Sequence, residues 1–390
     1  MERGLGWFTL HFELGRDGGR GNLPAMEGLR GLAVFLVFLT HYVTLSQPWV
    51  APGGTTATVA HSLHTIGNVG VDLFFVLSGY LIYGALLRRQ QPFLPYLGRR
   101  IRRLYPAFTA VFVLYLVLTG IFPAESKVPH GLGPAATWLL ANFLLLPGVF
   151  PIAPLITVAW SLSYEFFFYL TVPVLIGVGG LRAWQRWQRV ALFCGMGAGW
   201  LVLAPHGGNA LRMVMFAAGM VLYEVLTASS AAAKAANIDN AAVANSAKNL
   251  KTNTASNVGS WCGAFALAVG LGCTVLPLPG HSGAIFRTAV MAVAFGVLCY
   301  VCLGAWAEGW LGRTFSVAPL RWLGNASYSY YLIHGLALKA AFMALAWVLP
   351  PTAAPGDWLF WALLLPFFAA TLLPAAALFL LVEKRWSLTT

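Results

Sequence analysis

Three features of the 390-residue chain predict an all-α integral membrane protein built as a bundle of about ten transmembrane helices. Hydrophobic residues make up 59% of it against 9% charged, and the mean hydropathy is +0.73. The apolar residues also fall in continuous runs of about twenty, the length that crosses a bilayer as helix. So much apolar surface cannot be hidden in a soluble core. Runs of this kind also lack the ten-residue alternation of transmembrane barrel strands. The 24 Lys and Arg against 12 Asp and Glu would suggest nucleic acid in a soluble protein. Here the basic residues cluster between apolar runs, so they read as topology signals and contacts with anionic membrane lipids, and no nucleic-acid partner is expected.

Along the chain, apolar segments of spanning length predict helices at 28–47, 69–87, 104–122, 155–177, 190–204, 210–227, 260–278, 284–303, 327–348 and 358–381. A shorter piece, 135–150, ends in Pro147, Gly148 and Pro151 and is either a span or a re-entrant segment. The distribution of basic residues favours the second. Arg16, Arg20 and Arg30 place the N-terminus in the cytosol, and Arg88, Arg89 and the run from Arg99 to Arg103 return the chain there after the second helix. Segment 48–68 has no Lys or Arg and reads as an outer loop. Later inside positions follow at Arg182, Arg186 and Arg189, at Lys234, Lys248 and Lys251, at Arg313 and Arg321, and at Lys384 and Arg385. This alternation holds only if 135–150 does not cross, which gives ten spans with both termini cytosolic.

Residues 1–23 form a cytosolic N-terminal segment with no apolar core of a signal peptide. Residues 24–385 make one transmembrane domain. Within it, 228–259 is rich in Ala, Asn, Ser and Lys and lacks aromatic residues, so it reads as a flexible cytosolic linker between six helices and four. Five cysteines in or beside apolar runs read as small packing residues, forming neither a disulfide nor a metal site.

Ionisable groups inside spans are expensive and therefore mark candidate chemistry. Arg30 and His41 are eleven residues apart, three helical turns plus roughly 20°, and share a face of the first helix. His41 then lies roughly 20 Å from the cytosolic end, in the outer half of the bilayer. Asp72 opens the second helix, where a carboxylate also serves as a cap; its depth matches that of His41, whose imidazole needs an acidic partner to act as a base. Glu165 sits ten residues into the expected span 155–177, near the midplane. Arg99, Arg100, Arg102 and Arg103, at the cytosolic mouth of the third helix, read either as positive-inside anchors or as a guanidinium cluster for phosphates. Ser327, Tyr331 and His334 share a face of the ninth helix, with Asn325 before it as a cap; His334 equally fits a packing role.

A histidine with a carboxylate partner can deprotonate a hydroxyl so that it attacks an acyl group, while an arginine cluster holds an anionic acyl carrier. Proton-coupled transporters and flippases use the same residue types, which leaves a second class open. They often show two similar halves, and no such repeat stands out here.

The segment from Glu27-Gly28-Leu29-Arg30 to His41 resembles the first-helix signature of the membrane acyltransferase family 3. Four further segments are similar to that family's motifs in order and spacing. They are Gly70-Val71-Asp72-Leu73-Phe74-Phe75-Val76-Leu77-Ser78-Gly79-Tyr80, Arg102-Arg103-Leu104-Tyr105-Pro106, Trp160-Ser161-Leu162-Ser163-Tyr164-Glu165, and Ser327 through His334. The resemblance implies O-acyl transfer, usually of acetyl from cytosolic acetyl-CoA, to a hydroxyl of a polysaccharide, a lipid-linked glycan or a small molecule, in a bacterial inner membrane. It implies Arg30 and His41 as essential, with Glu165 in the same site; joined to the depth of Asp72 and the guanidinium cluster, the expected catalytic residues are His41, Glu165 and Asp72, and the expected donor-binding set is Arg30, Arg99, Arg102 and Arg103. Ser78, Tyr80, Trp160, Ser163, Tyr331 and His334 are expected along the substrate path. Acetyl-CoA enters as a substrate, with no resident cofactor or metal. Some members of the family carry an extracytoplasmic hydrolase-like domain; with its last span closing near residue 381, this chain is expected to deliver the acyl group itself or through a separate protein.

Overall fold

A computed structural model of the chain describes residues 2–14, 23–204, 209–239, 245–351 and 356–388. Fifteen α-helices follow in order: α1 (Glu2–Phe12), α2 (Pro24–Ser46), α3 (Thr55–Asn68), α4 (Gly70–Arg88), α5 (Phe93–Ile121), α6 (Leu132–Phe143), α7 (Ala159–Val178), α8 (Arg186–Leu203), α9 (Val214–Asp239), α10 (Asn245–Val275), α11 (Gly280–Leu303), α12 (Trp310–Phe315), α13 (Ala318–Asn325), α14 (Ser327–Val348) and α15 (Trp358–Leu378). The described residues contain no strand beyond one isolated bridge, Pro147 to Phe150, and the chain is an all-α integral membrane protein.

Nine described helical stretches are long and apolar enough to cross a membrane, and each coincides with an expected span. The tenth expected span, 190–204, is helical as α8 but is not among them. Arg186 and Arg189 open it, and Gly195, Gly197 and Gly199 dilute its apolar character. Segment 135–150 contributes only α6, whose twelve residues extend about 18 Å against the ~30 Å of a hydrocarbon core.

Two regions differ from the sequence-based expectation. The outer loop expected at 48–68 is mostly α3, a helix of Thr, Ala, His and Ser residues with no long apolar run to announce it. Segment 228–259, expected as a linker, is entered by the end of α9 to Asp239 and by α10 from Asn245, while 240–244 lies outside the described residues. Arg16 and Arg20 also lie outside them, as do the side chains of Lys234, Lys248 and Lys251.

The helices form two compact units that interleave in sequence, where six helices followed by four were expected. The first comprises residues 1–33, 69–90 and 174–325; the second comprises 34–68, 91–173 and 326–390. In the first unit α4 lies along α9 at close range. A Cβ on Gly79 would stand 2.3 Å from the Phe216 carbonyl oxygen, and one on Gly219 would stand 2.1 Å from that of Val76. Small residues that let backbones meet are how membrane helices gain packing where lipid removes the hydrophobic drive between them. In the second unit α14 packs on α15, and α15 continues as a π-helical segment, Phe379–Ser387.

Candidate active site

The second unit holds a polar constellation organised by α14. Tyr328, Ser329, Tyr330, Tyr331 and His334 are all buried. A buried hydroxyl needs a partner, and each here has one. Tyr328 donates to the Leu104 carbonyl at 2.7 Å, Tyr330 meets Thr371 Oγ1 at 2.8 Å, and Tyr331 meets Ser161 Oγ at 2.6 Å and donates to the Val158 carbonyl at 3.0 Å. These bonds tie α14 to α5, α15 and the start of α7, so its rotation is fixed and His334 is aimed.

His334 Nδ1 lies 3.0 Å from the Tyr330 carbonyl and 2.9 Å from the Tyr331 carbonyl. Its ring stacks on Tyr330, with centroids 5.2 Å apart. The ring of His41 faces it edge-on, centroid to centroid 5.0 Å. His41 is half-buried, and the helix on either side of it is pinned. Thr40 donates to the His64 carbonyl of α3 at 3.3 Å, and Tyr42 donates to the Phe360 carbonyl of α15 at 2.5 Å. Helix α2 therefore presents one imidazole, held between anchored neighbours, to a second imidazole buried on α14.

Glu165 is half-buried and accepts from the Tyr169 hydroxyl at 2.6 Å. Because α7 starts at Ala159, this carboxylate stands about 9 Å into the helix and not at its middle, as the earlier expected start had implied. Trp160 is half-buried and meets Tyr164 edge-on at 6.0 Å. Ser163 donates to the Ala159 carbonyl of its own helix at 3.3 Å, while its neighbour Ser161 makes the contact with Tyr331. Ser161 and Ser163 stand in the same motif, and nothing in the sequence marks the first over the second.

The arginine run divides by helical phase. Arg99 and Arg102, three residues apart, are exposed, and Arg99 donates to Gln91. Arg100 and Arg103 turn inward. The Arg100 guanidinium lies over the rings of Tyr96 and Tyr169, at 5.5 and 5.4 Å, and that of Arg103 over Tyr328 at 5.6 Å. Arg103 also donates to Glu383 at 2.5 Å. Glu383 is fully buried and accepts further from the backbone N–H and hydroxyl of Ser329. Sequence reasoning misses Glu383, whose signal is a single carboxylate directly after the closing apolar stretch Phe379-Leu380-Leu381-Val382. Among the described residues no group of His, Cys, Asp and Glu is placed to hold a metal ion.

Other expected site residues belong to the first unit. Asp72 is buried and pairs with Arg212 at 3.3 Å, a partner the sequence did not suggest. The residue capping α4 is Val69, with no side-chain cap. Ser78 and Tyr80 lie half-buried on α4, Tyr80 with its ring 5.8 Å from that of Tyr223. Arg30 is half-buried on α2, in the part that belongs to the first unit. Asn325, expected to cap α14, does not: the residue at that place is Ala326, and the Asn325 amide donates instead to the Phe12 carbonyl at 3.0 Å.

An all-α membrane bundle with an imidazole base candidate, hydroxyl groups and exposed guanidinium groups within one unit is an arrangement suited to group transfer onto a hydroxyl. Comparison with known proteins gives the class: the family model for the acyltransferase domain matches residues 23–380, and the chain belongs to that family. It is 26% identical over 329 residues to the peptidoglycan O-acetyltransferase OatA of Listeria monocytogenes, covering 80% of this chain and 49% of that protein. It is 31% identical over 159 residues to the acyltransferase MdmB of Streptomyces mycarofaciens, covering 39% of this chain and 38% of that one. Over 166 residues it is 31% identical to the O-acetyltransferase OatA of Staphylococcus aureus, covering 40% and 24%. The chain thus spans at most about half the length of these relatives. No solved structure matches it.

Proposed function

We propose that the chain is a membrane O-acyltransferase that moves an acyl group, acetyl in the first instance, from acyl-CoA to a hydroxyl of a glycan or lipid-linked acceptor, with His41 as general base. One observation carries the reading: the acyltransferase family extends over residues 23–380, and two relatives are named for O-acetyl transfer, one of them to peptidoglycan. The facing of His41 on His334 supports it.

In this scheme His41 takes the proton of the acceptor hydroxyl as its oxygen attacks the thioester carbonyl carbon. The C–O bond forms, the C–S bond breaks, and the departing thiolate takes up the proton His41 held. The ester product and free CoA then balance the reaction. Arg99 and Arg102 offer exposed guanidinium groups to the donor's phosphates. Glu165 steadies positive charge along the path. Trp160, Ser163 and Tyr331 line it. Asp72 is assigned to its ion pair with Arg212.

The donor enters from the cytosol and the acceptor from the other side of a bacterial inner membrane, with a separate transfer protein as a further partner. Purified protein in liposomes, given labelled acetyl-CoA and an oligosaccharide acceptor, should form an O-acetyl ester seen by mass spectrometry. Binding of acceptor with no consumption of any acyl-CoA would defeat the reading.

A further inference from the structure

The buried face of α14 carries one atom the scheme above does not use. His334 Nδ1 lies within hydrogen-bonding distance of two carbonyl oxygens, those of Tyr330 and Tyr331. A carbonyl only accepts, so Nδ1 carries the ring proton and the neutral imidazole is left with a bare lone pair on Nε2. That atom is buried and has no hydrogen-bond partner, in a side chain of zero exposure. Buried polar atoms are rarely left so, and the exceptions ask for a reason.

The geometry points to His334 as the positioning residue for His41, its Nε2 accepting the ring N–H of His41 that faces it. With centroids 5.0 Å apart and planes at 64°, the gap between the ring edges is filled by one N–H···N hydrogen bond of about 3 Å once the half-buried His41 turns toward it. That bond puts the remaining proton of neutral His41 on the side of His334 and its lone pair on the other side, toward the acceptor hydroxyl. A base oriented by a third group is the general logic of catalytic triads, with a neutral imidazole standing where a carboxylate is usual. When His41 takes the acceptor's proton, its imidazolium gains from the same bond, and no proton passes to His334.

The surroundings are consistent with this role. The titratable groups facing the pair are His64 of α3, whose backbone is bonded to Thr40, and the hydroxyls of Tyr330 and Tyr331 on α14 itself, both already bonded. Helix α15 has no ionisable side chain in its sequence. Among the described residues no carboxylate is hydrogen-bonded to either imidazole.

The inference rests on the acyl-transfer reading, so its test separates the two. His334→Asn places an amide nitrogen where Nδ1 stood and removes the Nε2 acceptor; His334→Gln can still present an acceptor oxygen there. In the liposome assay His334→Asn should lower kcat roughly 10- to 100-fold, the scale known for partners that orient metal-bound imidazoles, with both Michaelis constants unchanged and a larger solvent deuterium isotope effect. His334→Gln should retain more activity than His334→Asn. Wild-type kcat in His334→Asn, or a loss confined to KM, would overturn the proposal. Should either variant fail to fold, the wild type decides: nitrogen-15 histidine spectra should show His334 as the Nδ1–H tautomer, and the Nε2–H tautomer would overturn it. Absence of transfer by the wild type would defeat the parent reading while leaving the tautomer measurement intact.

Discussion

Arg103 donates to Glu383 at 2.5 Å across 280 residues of chain. The acceptor is completely buried while the guanidinium is partly exposed, and the same carboxylate holds the backbone and hydroxyl of Ser329 at the start of α14. The pair therefore ties the arginine run of α5 to the helix that aims His334. A partly buried ion pair adds little net stability over an apolar pair, but removing one partner leaves an uncompensated charge.

Glu383→Gln is accordingly expected to destabilise the protein by about 3 kcal/mol. The check is thermal unfolding of purified protein in detergent. An unchanged melting temperature would show that Arg103 finds another anion.

The two faces of the arginine run should separate in kinetics. Arg102→Lys keeps charge but loses the bidentate fork that suits phosphate, so it should raise the KM for acetyl-CoA and leave that of the acceptor unchanged. Arg103→Lys should lower the melting temperature instead. Equal effects of both on donor KM would mean that Arg103 leaves Glu383 to bind the donor.

Asp72 and Arg212 should behave as a unit. Asp72→Asn and Arg212→Gln each cost stability singly, while the double variant should cost less than their sum, with a coupling on the order of 1 kcal/mol. A strictly additive cycle would free Asp72 for a role in catalysis.

Gly67 offers a test of the scaffold around His41. A Cβ there would stand 2.5 Å from the Leu36 carbonyl oxygen and 2.6 Å from Thr40 Oγ1. Gly67→Ala must push α3 off α2 one residue from His41, at a cost of about 1–3 kcal/mol, and kcat should fall with it. A variant with wild-type melting and turnover would show that α3 does not help to hold His41.

Much of this was legible in the sequence because spanning helices announce themselves by continuous apolar length, and all nine long apolar stretches were expected from it. Helix α3 was missed for the converse reason, as a run of Thr, Ala, Ser and His has no apolar length to detect. The face shared by Tyr331 and His334 followed from helical phase alone. The same phase already separates Arg99 and Arg102 from Arg100 and Arg103, but which pair turns inward depends on Glu383, far away in sequence. Asp72 shows the limit most plainly. Its depth suggested a partner in His41, whereas its partner is Arg212, 140 residues on at the start of the expected span 210–227, and no local pattern joins two residues so far apart in sequence. The His41 to His334 contact joins two residues each noticed singly, and only the packing of α2 and α14 in one unit makes them a pair.

Removing the His41 imidazole removes the proposed base of the acyl transfer, and the chemical step should fail with it. Wild type and His41→Ala, reconstituted at equal amounts and with equal melting temperatures, are given labelled acetyl-CoA and a hydroxylated glycan. The wild type should form labelled ester, and the variant should fall by roughly 10²- to 10⁴-fold, the contribution of a positioned general base. A well-folded His41→Ala protein that forms ester at the wild-type rate would remove His41 from the chemistry.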